Sequence, residues 1–369
     1  MSESVTPARQ TSSTAAAPPV RVALIGCGYW GPNLIRNFAF CPGTEMAVLC
    51  DRDPQRLQMG SRLWPQMRLV RDYAAVLADA SIEAVVIATP PETHAALAQA
   101  ALAAGKHVLI EKPLATSVGD AVELVRTAES RGLTLMVDHT FIYSPAIRKI
   151  KALVDAGELG DLYYIDSVRI NLGLFRNDVN VLWDLAIHDL AIVDYLLGRV
   201  PVSLSAFGSS HTRSELEDVA YLNLDFGQNL LASFHVNWLS PVKVRHLIIG
   251  GSKKGLVYND LDPVEPVKVY DRGITLSQHP EARRGVLINY RIGDVISPRL
   301  PLEEPLKNVV AHFAACVRNG TKPLTDGQAG LRMVRILDLA HRSIKANGNR
   351  LTFREDFVGA PATPSLRAA

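Results

Sequence analysis

The stretch Val20-Arg-Val-Ala-Leu-Ile-Gly26-Cys27-Gly28-Tyr29-Trp30-Gly31 carries an aliphatic run straight into G-x-G-x-x-G, and a helical pattern follows. Strand, glycine turn and helix in that order open a doubly wound parallel sheet that holds a dinucleotide. Gly26 makes the tight turn, Gly28 lets the backbone approach a pyrophosphate, and Gly31 permits close helix packing, with Tyr29 and Trp30 flanking the expected cofactor. The second aliphatic run ends at Asp51, 20 residues past Gly31. A carboxylate there accepts hydrogen bonds from the adenosine ribose and repels a 2′-phosphate, so the expected cofactor is NAD rather than NADP, although Arg52 is placed to neutralise such a phosphate. A glycine-rich packing turn or a methyltransferase nucleotide site also fits these residues. Cys27 reads as a small residue that the turn tolerates, not as a nucleophile.

Outward from this unit the same rhythm continues. Strands are expected at Val20 to Ile25, Met46 to Cys50, Ala84 to Ala88, His107 to Ile110 and Leu133 to Val137, each a near-continuous aliphatic run of the kind found where both sheet faces are covered. Helical spacing marks Thr93 to Ala104 and Gly119 to Arg131. After about Tyr143 the pattern changes: helices at Ile147 to Ala156 and Trp183 to Leu197 frame a strand-like run, Leu162 to Leu172. Alternating segments follow at Val202 to Ser210, Val219 to Phe226, Leu230 to Leu239, Val244 to Gly250, Leu256 to Tyr258 and Val267 to Tyr270, which reads as an open, mainly antiparallel sheet with one covered face. Helices at Pro305 to Asn319 and Asp326 to Ala346 close the chain, and Ser277 to Pro301 is expected to be a long loop. The expected organisation is α/β: a tail over 1–19, a dinucleotide-binding domain over 20–142, a substrate and oligomerisation domain over 143–358 whose last helix packs back on the first, and a tail over 359–369.

Among 369 residues, 39 Lys and Arg against 37 Asp and Glu leave a net charge of +2, too little for a nucleic-acid binder. Four cysteines without CxxC spacing indicate neither a disulfide framework nor a metal site and fit a reducing cytoplasm. No apolar run is long enough to span a membrane or to form a signal-peptide core.

Two further segments sit at strand ends, the ligand edge of a parallel sheet. In Ala88-Thr89-Pro90-Pro91-Glu92-Thr93-His94, the stiff prolines suit one wall of a cofactor channel, with Thr89, Pro90 and His94 as contacts; Thr93 equally suits a helix cap, and His94 a solvent-facing first turn. In Glu111-Lys112-Pro113, an ammonium can hydrogen-bond a substrate hydroxyl and favour its ionised form, with Glu111 beside the cofactor; a lone surface lysine is the default reading. Downstream, Trp183-Asp184-Leu185-Ala186-Ile187-His188-Asp189 places Asp184 and His188 at i and i+4, on one helix face. From the residues alone, a simple helix-surface hydrogen bond fits this spacing. Asp189 lies off that face.

GCGYWG, ATPPETH, EKP and the D-x-x-x-H of Asp184 and His188, in that order, resemble the Gfo/Idh/MocA oxidoreductases, which include glucose-fructose oxidoreductase and inositol dehydrogenase. The resemblance covers about Val20 to Arg354. It implies a Rossmann domain followed by an α/β domain with an open sheet that often forms the oligomer interface, so a homodimer or homotetramer is expected. It further implies that Lys112 is the active-site lysine and that Asp184 and His188 are the substrate pair, in which Asp184 holds a hydroxyl while His188, a neutral imidazole near pH 7, takes its proton. Within the family, GCGYWGPNLIRNF and the segment Asn171 to Leu185 look most like bacterial nucleotide-sugar dehydrogenases of cell-surface polysaccharide pathways, such as the UDP-N-acetylglucosamine 3-dehydrogenases. Arg169, Asn171, Arg176 and Asn180 precede the Asp-His helix and are expected to reach a sugar or its diphosphate, a solvated loop being the other reading. The expected activity is NAD-dependent oxidation of a secondary sugar hydroxyl, C3 by resemblance. A free polyol or sugar dehydrogenase and a non-catalytic dinucleotide sensor are the alternatives.

Overall fold

The computed structural model describes residues 18–173, 175–212, 215–276 and 288–353. The expected tails, 1–19 and 359–369, fall almost wholly outside them. Strands β1 (Val20–Ile25), β2 (Thr44–Cys50), β3 (Arg68–Val70), β4 (Ala84–Ile87), β5 (His107–Glu111) and β6 (Leu135–Asp138) form one sheet in the order β3-β2-β1-β4-β5-β6. Every pairing in it is parallel. Helices α1 (Gly31–Phe40), α2 (Pro54–Leu63), α3 (Tyr73–Leu77), α4 (Pro91–Ala103) and α5 (Val118–Ser130) make the crossovers. All residues of β4 and β6 are buried, which is why these strands read as unbroken aliphatic runs. The strand order reverses between β1 and β4, so the carboxyl ends of β1, β4, β5 and β6 line one crevice.

The rest of the chain comprises α6 (Pro145–Asp155), β7 (Leu162–Leu172), α7 (Ile187–Leu197), β8 (Ser203–Ser209), β9 (Val219–Asp225), β10 (Leu231–Asn237), β11 (Leu239–Gly251), β12 (Gly255–Asn259), β13 (Val267–Leu276), β14 (Ile288–Ile296), α8 (Pro305–Asn319), α9 (Gly327–Lys345) and β15 (Leu351–Thr352). Among the described residues its nine strands run β14-β13-β12-β11-β7-β10-β9-β8-β15. The sheet is mixed: β7 and β10 are parallel, and the other pairings are antiparallel. β14 occupies part of the segment expected to be a loop, and 277–287 lie outside the described residues. Its exposed Ile292, Val295 and Ile296 show that it lacks the one-sided burial that makes a strand legible.

The two sheets share one apolar cluster, which contains Leu24 of β1, Phe313 of α8 and Leu222 of β9. α8 meets α1 through an edge-on pair, Phe38 and Phe313, with ring centres 6.4 Å apart. α9 packs on both layers. At Gly327 and Gly330 an added Cβ would lie 2.9 Å from Leu135 and 2.7 Å from Val137, so this helix sits against β6 closer than a side chain allows. At its other end, the Ser343 hydroxyl accepts the Ala206 N–H of β8 at 2.9 Å.

Candidate active site

The glycine turn is built as its three positions require. Gly26 has φ +90°, and a Cβ there would meet the Ala88 carbonyl oxygen at 2.7 Å, so only glycine fits. A Cβ on Gly28 would meet nothing within 4 Å, which leaves open space against the backbone. A Cβ on Gly31 would press on the Cys27 sulfur at 3.0 Å. Helix α1 starts here with no side-chain cap and no acidic residue in its first turn, the arrangement that receives an anion. Asp51 accepts the Cys27 N–H at 2.8 Å through Oδ2 and the Asp53 N–H at 2.9 Å through Oδ1, so it braces the turn at the end of β2. Arg52 is exposed beside it. Burial pushes the Cys27 thiol up to about 11, which keeps it unreactive. Gly28→Val is expected to weaken NAD binding by roughly tenfold or more while leaving thermal stability unchanged, because the added atoms fill only the cofactor's space. Calorimetric titration and a melting curve check both halves.

The loop after β4 is tied to the one after β5 through His94. This imidazole is fully buried, with Nδ1 2.7 Å from the Pro113 carbonyl and Nε2 2.9 Å from the Thr89 carbonyl. Neither the expected cofactor contact nor a solvent-facing turn describes it, because both ring nitrogens are taken up by backbone. Thr93 is not the cap; α4 begins at Pro91 after Pro90, and the Thr93 hydroxyl lies 2.7 Å from that of Thr89. Tyr29 is 89% exposed, whereas Trp30 is near enough to Asp138 to oppose the rise that burial gives its carboxyl. Glu111 faces Asp138 as well. Burial first, then the Asp138 charge, raise the Glu111 carboxyl well above its usual range, so Glu111 holds a proton beside Asp138.

Lys112 projects from the end of β5 to Asp184. Its Nζ donates to the Asp184 backbone carbonyl at 2.9 Å and to Oδ1 at 3.2 Å, while the Trp238 indole donates to Oδ2 at 3.2 Å. The turn that carries Asp184, Leu182–Ala186, is π-helical and leads into α7, where the sequence pattern predicts regular α-helix; π turns of this kind recur at functional sites. His188, in the first turn of α7, packs against the edge of Phe141 with ring centres 5.1 Å apart. Burial, then Lys112, Arg169, His139 and Arg245, hold its pKa well below 6.5, so the imidazole is neutral at pH 7. Its Nδ1 is buried without a partner among the described residues. A fixed ammonium and carboxylate beside a neutral imidazole can hold a hydroxyl and accept its proton.

Of the four residues expected to reach substrate, the structure diverts two. Arg169 is 3% exposed, forms a two-bond ion pair with Asp189 at 2.9 and 2.7 Å, and stacks on Phe141. Asn180 caps the π turn: its Oδ1 accepts the Leu182 and Trp183 N–H groups at 3.1 and 3.3 Å, and its Nδ2 donates to Glu217 at 2.7 Å. Both therefore support Asp184 and His188 from behind. Arg176 stays at the site, 3.9 Å from Asp184 and paired with Asp178 at 2.8 and 2.6 Å. Asn171 approaches the Gly173 backbone, whose N–H donates to the Trp238 carbonyl at 3.0 Å. Asp189→Ala is expected to destabilise the fold by about 3–5 kcal/mol, since it leaves the Arg169 charge buried and unpaired; urea unfolding measures this. The sequence reading missed Trp238, Phe141, Arg245 and His139. Only His139 carried a signal, two residues past the fifth expected strand on the ligand edge.

The chain matches the model of the oxidoreductase family with an NAD-binding Rossmann fold over residues 20–139. It matches that of the GFO/IDH/MocA C-terminal domain over residues 147–257. Along its length it is similar to the D-apiose dehydrogenase of Paraburkholderia graminis, 27% identical over 96% of this chain and 95% of that protein. A solved structure from Magnetospirillum magnetotacticum MS-1, of a protein assigned as an oxidoreductase, is 32% identical with TM-score 0.74, covering 87% of this chain and 99% of that one. The UDP-N-acetylglucosamine 3-dehydrogenase of Acidithiobacillus ferrooxidans is 25% identical with TM-score 0.72, covering 88% of this chain and 98% of that one. This is an NAD-binding oxidoreductase. The chain belongs to the Gfo/Idh/MocA family.

Proposed function

We propose that the protein oxidises a secondary hydroxyl of a sugar, nucleotide-linked and at C3, to a ketone. The observation that carries the reaction is the meeting of the Lys112 ammonium, the Asp184 carboxylate and the neutral His188 at the carboxyl edge of the Rossmann sheet. The bound nicotinamide supplies the hydride acceptor. Asp184, fixed by Lys112 and Trp238, accepts a hydrogen bond from the sugar. Lys112 stabilises the oxygen as its proton departs, and His188 takes that proton. Arg176, at the Asp184 end, suits a phosphate of the nucleotide portion of the substrate. Similarity to the UDP-N-acetylglucosamine dehydrogenase supports the nucleotide-linked form.

A free sugar or polyol is the second reading. It is favoured by the similarity to a D-apiose dehydrogenase and by the internal pairing of Arg169 and Asn180, which removes two of the four groups expected for a larger substrate. Incubation with NAD and, separately, nucleotide sugars, myo-inositol and free hexoses or pentoses separates the two. A keto product from nucleotide sugars alone supports the first reading; turnover confined to free sugars or inositol replaces it with the second.

The assembly follows from the nine-stranded sheet. Tyr164 and Leu231 pair in one row of its uncovered face and Tyr221 and Phe207 in a second row four residues along, all 44–55% exposed. A patch of this kind needs cover, and a second copy of the same face supplies it in a homodimer or homotetramer. Light scattering is expected to give at least twice the chain mass, and a monomeric mass contradicts the assembly.

A further inference from the structure

A histidine that acts as a base is ordinarily held in line by a carbonyl or carboxylate on its second nitrogen, which sets both the plane of the ring and the place of its proton. His188 lacks such a partner among the described residues. Its Nδ1 is buried and unpaired, and the carboxylate next to it in the chain, Asp189, is committed to Arg169 through two bonds of 2.9 and 2.7 Å. The residue as a whole is only partly buried, so with Nδ1 shut in, Nε2 is the nitrogen left to meet a substrate. Packing must therefore fix the ring.

Phe141 supplies that packing. Its ring meets the His188 imidazole at 75° with centres 5.1 Å apart, a T-shaped pairing of the kind aromatic rings prefer. The Arg169 guanidinium lies over the Phe141 ring, 4.5 Å from its centre, and the Arg245 guanidinium approaches the same ring at 5.9 Å. Arg169 of β7 and Arg245 of β11 are register partners, so the sheet itself brings both cations to one ring. Asp260 holds Arg245 at 2.9 Å and accepts the Tyr258 hydroxyl at 2.8 Å. The contacts around His188 close on themselves: the imidazole touches Phe141, Phe141 rests on Arg169, Arg169 binds Asp189, and Asp189 is the next residue after His188 in α7. The backbone under Phe141 is fixed as well. It belongs to the 3₁₀ turn Thr140–Tyr143 directly after β6, where the Thr140 hydroxyl donates to Asp138 at 2.7 Å and the Ile142 N–H to the His139 carbonyl at 3.0 Å. Ile142 and Tyr143 anchor the turn in the core.

We propose that Phe141 is the positioning residue of His188: held between the Arg169 guanidinium and the imidazole, it keeps that ring in the orientation that buries Nδ1 and presents Nε2 to the sugar hydroxyl. This rests on the reading of His188 as general base. Phe141 itself moves no proton. Its loss leaves the imidazole free to turn about its side-chain bonds, so that Nε2 is aligned with the hydroxyl for only part of the time, and misalignment of a reacting group is costly in rate even when binding is intact.

The test uses the full-length protein with NAD and the substrate found in the panel above. Phe141→Leu removes the ring but keeps an apolar side chain, and Phe141→Tyr keeps the ring. The leucine variant is expected to lower kcat by roughly tenfold or more with NAD affinity and sugar KM unchanged, and the tyrosine variant to keep the native kcat. The leucine variant should also lose activity at a higher pH on acidification than the native enzyme, because an imidazole no longer wedged in place is reached by water and binds its proton more readily. The groups that act on it, Lys112, Arg169, Arg245 and the neutral His139, with the carboxylates Asp184, Asp189 and Asp260 that pair the three cations, are the same in both proteins. Mere damage to the fold lowers the active fraction without moving that limb of the profile. Full kcat in Phe141→Leu overturns the proposal, as does a loss with an unmoved acid limb or an equal loss in Phe141→Tyr. Should Phe141→Leu fail to fold, Arg169→Met combined with Asp189→Leu exchanges the buried pair for apolar groups and removes the support behind the ring instead; unchanged kcat and acid limb there overturn it equally. His188→Ala, run in parallel, separates the claims. If it retains turnover, or if no sugar is oxidised by the native protein, base and positioning fall together; if it is inactive while Phe141→Leu is fully active, the positioning alone falls.

Discussion

Replacing His188 with alanine is expected to lower turnover by roughly 10²-fold or more and to leave NAD affinity unchanged. His188 lies on α7, away from the glycine turn proposed to hold the pyrophosphate, so its loss would remove the proposed proton acceptor without touching that turn. The native enzyme should also keep its activity well below pH 6.5. A base works in its neutral form, so activity falls only as pH drops through the depressed pKa of His188. Steady-state rates and calorimetric NAD titration check the variant, and a pH profile checks the base. Full turnover in the alanine variant would remove His188 from the mechanism.

Lys112→Met carries the second large effect. The ammonium holds Asp184 at two points, and in the proposed reaction it stabilises the negative charge that develops on the substrate oxygen, so its loss is expected to lower kcat by about 10²- to 10³-fold. It should also move the pH profile of the residual activity. The Lys112 charge is the second-largest influence, after burial, holding the His188 pKa down. Removing a cation lets the imidazole bind its proton more readily, so activity is lost at a higher pH on acidification than in the native enzyme. A residual profile that does not move would mean that Lys112 and His188 serve separate centres.

Much of this site is legible in the amino-acid order because its parts fall at strand and helix ends. Gly26, Thr89 and Lys112 follow three strands whose two-sided burial makes them easy to read. β3 is not legible: it has three residues, two of them exposed, and no aliphatic run to mark it. The commitments of Arg169 and Asn180 are equally hidden, because their partners Asp189 and Glu217 lie 20 and 37 positions away and meet them only once β7 and the π turn are packed. Sequence spacing shows which residues can share a face; it does not show which charges the fold has already paired. Trp238 illustrates the same limit. It reaches Asp184 from the junction of β10 and β11, 54 positions away, through one indole N–H.

The most direct test follows a labelled hydrogen. Nucleotide sugars and free sugars carrying deuterium on a ring carbon bearing a secondary hydroxyl are incubated with the protein and NAD, and both products are read by mass spectrometry. The predicted result is deuterium in the reduced nicotinamide and a ketone at the labelled carbon of the sugar, C3 in the proposed substrate, with both lost in His188→Ala. NAD bound and every sugar unchanged would contradict the account and leave a dinucleotide-binding protein without this chemistry.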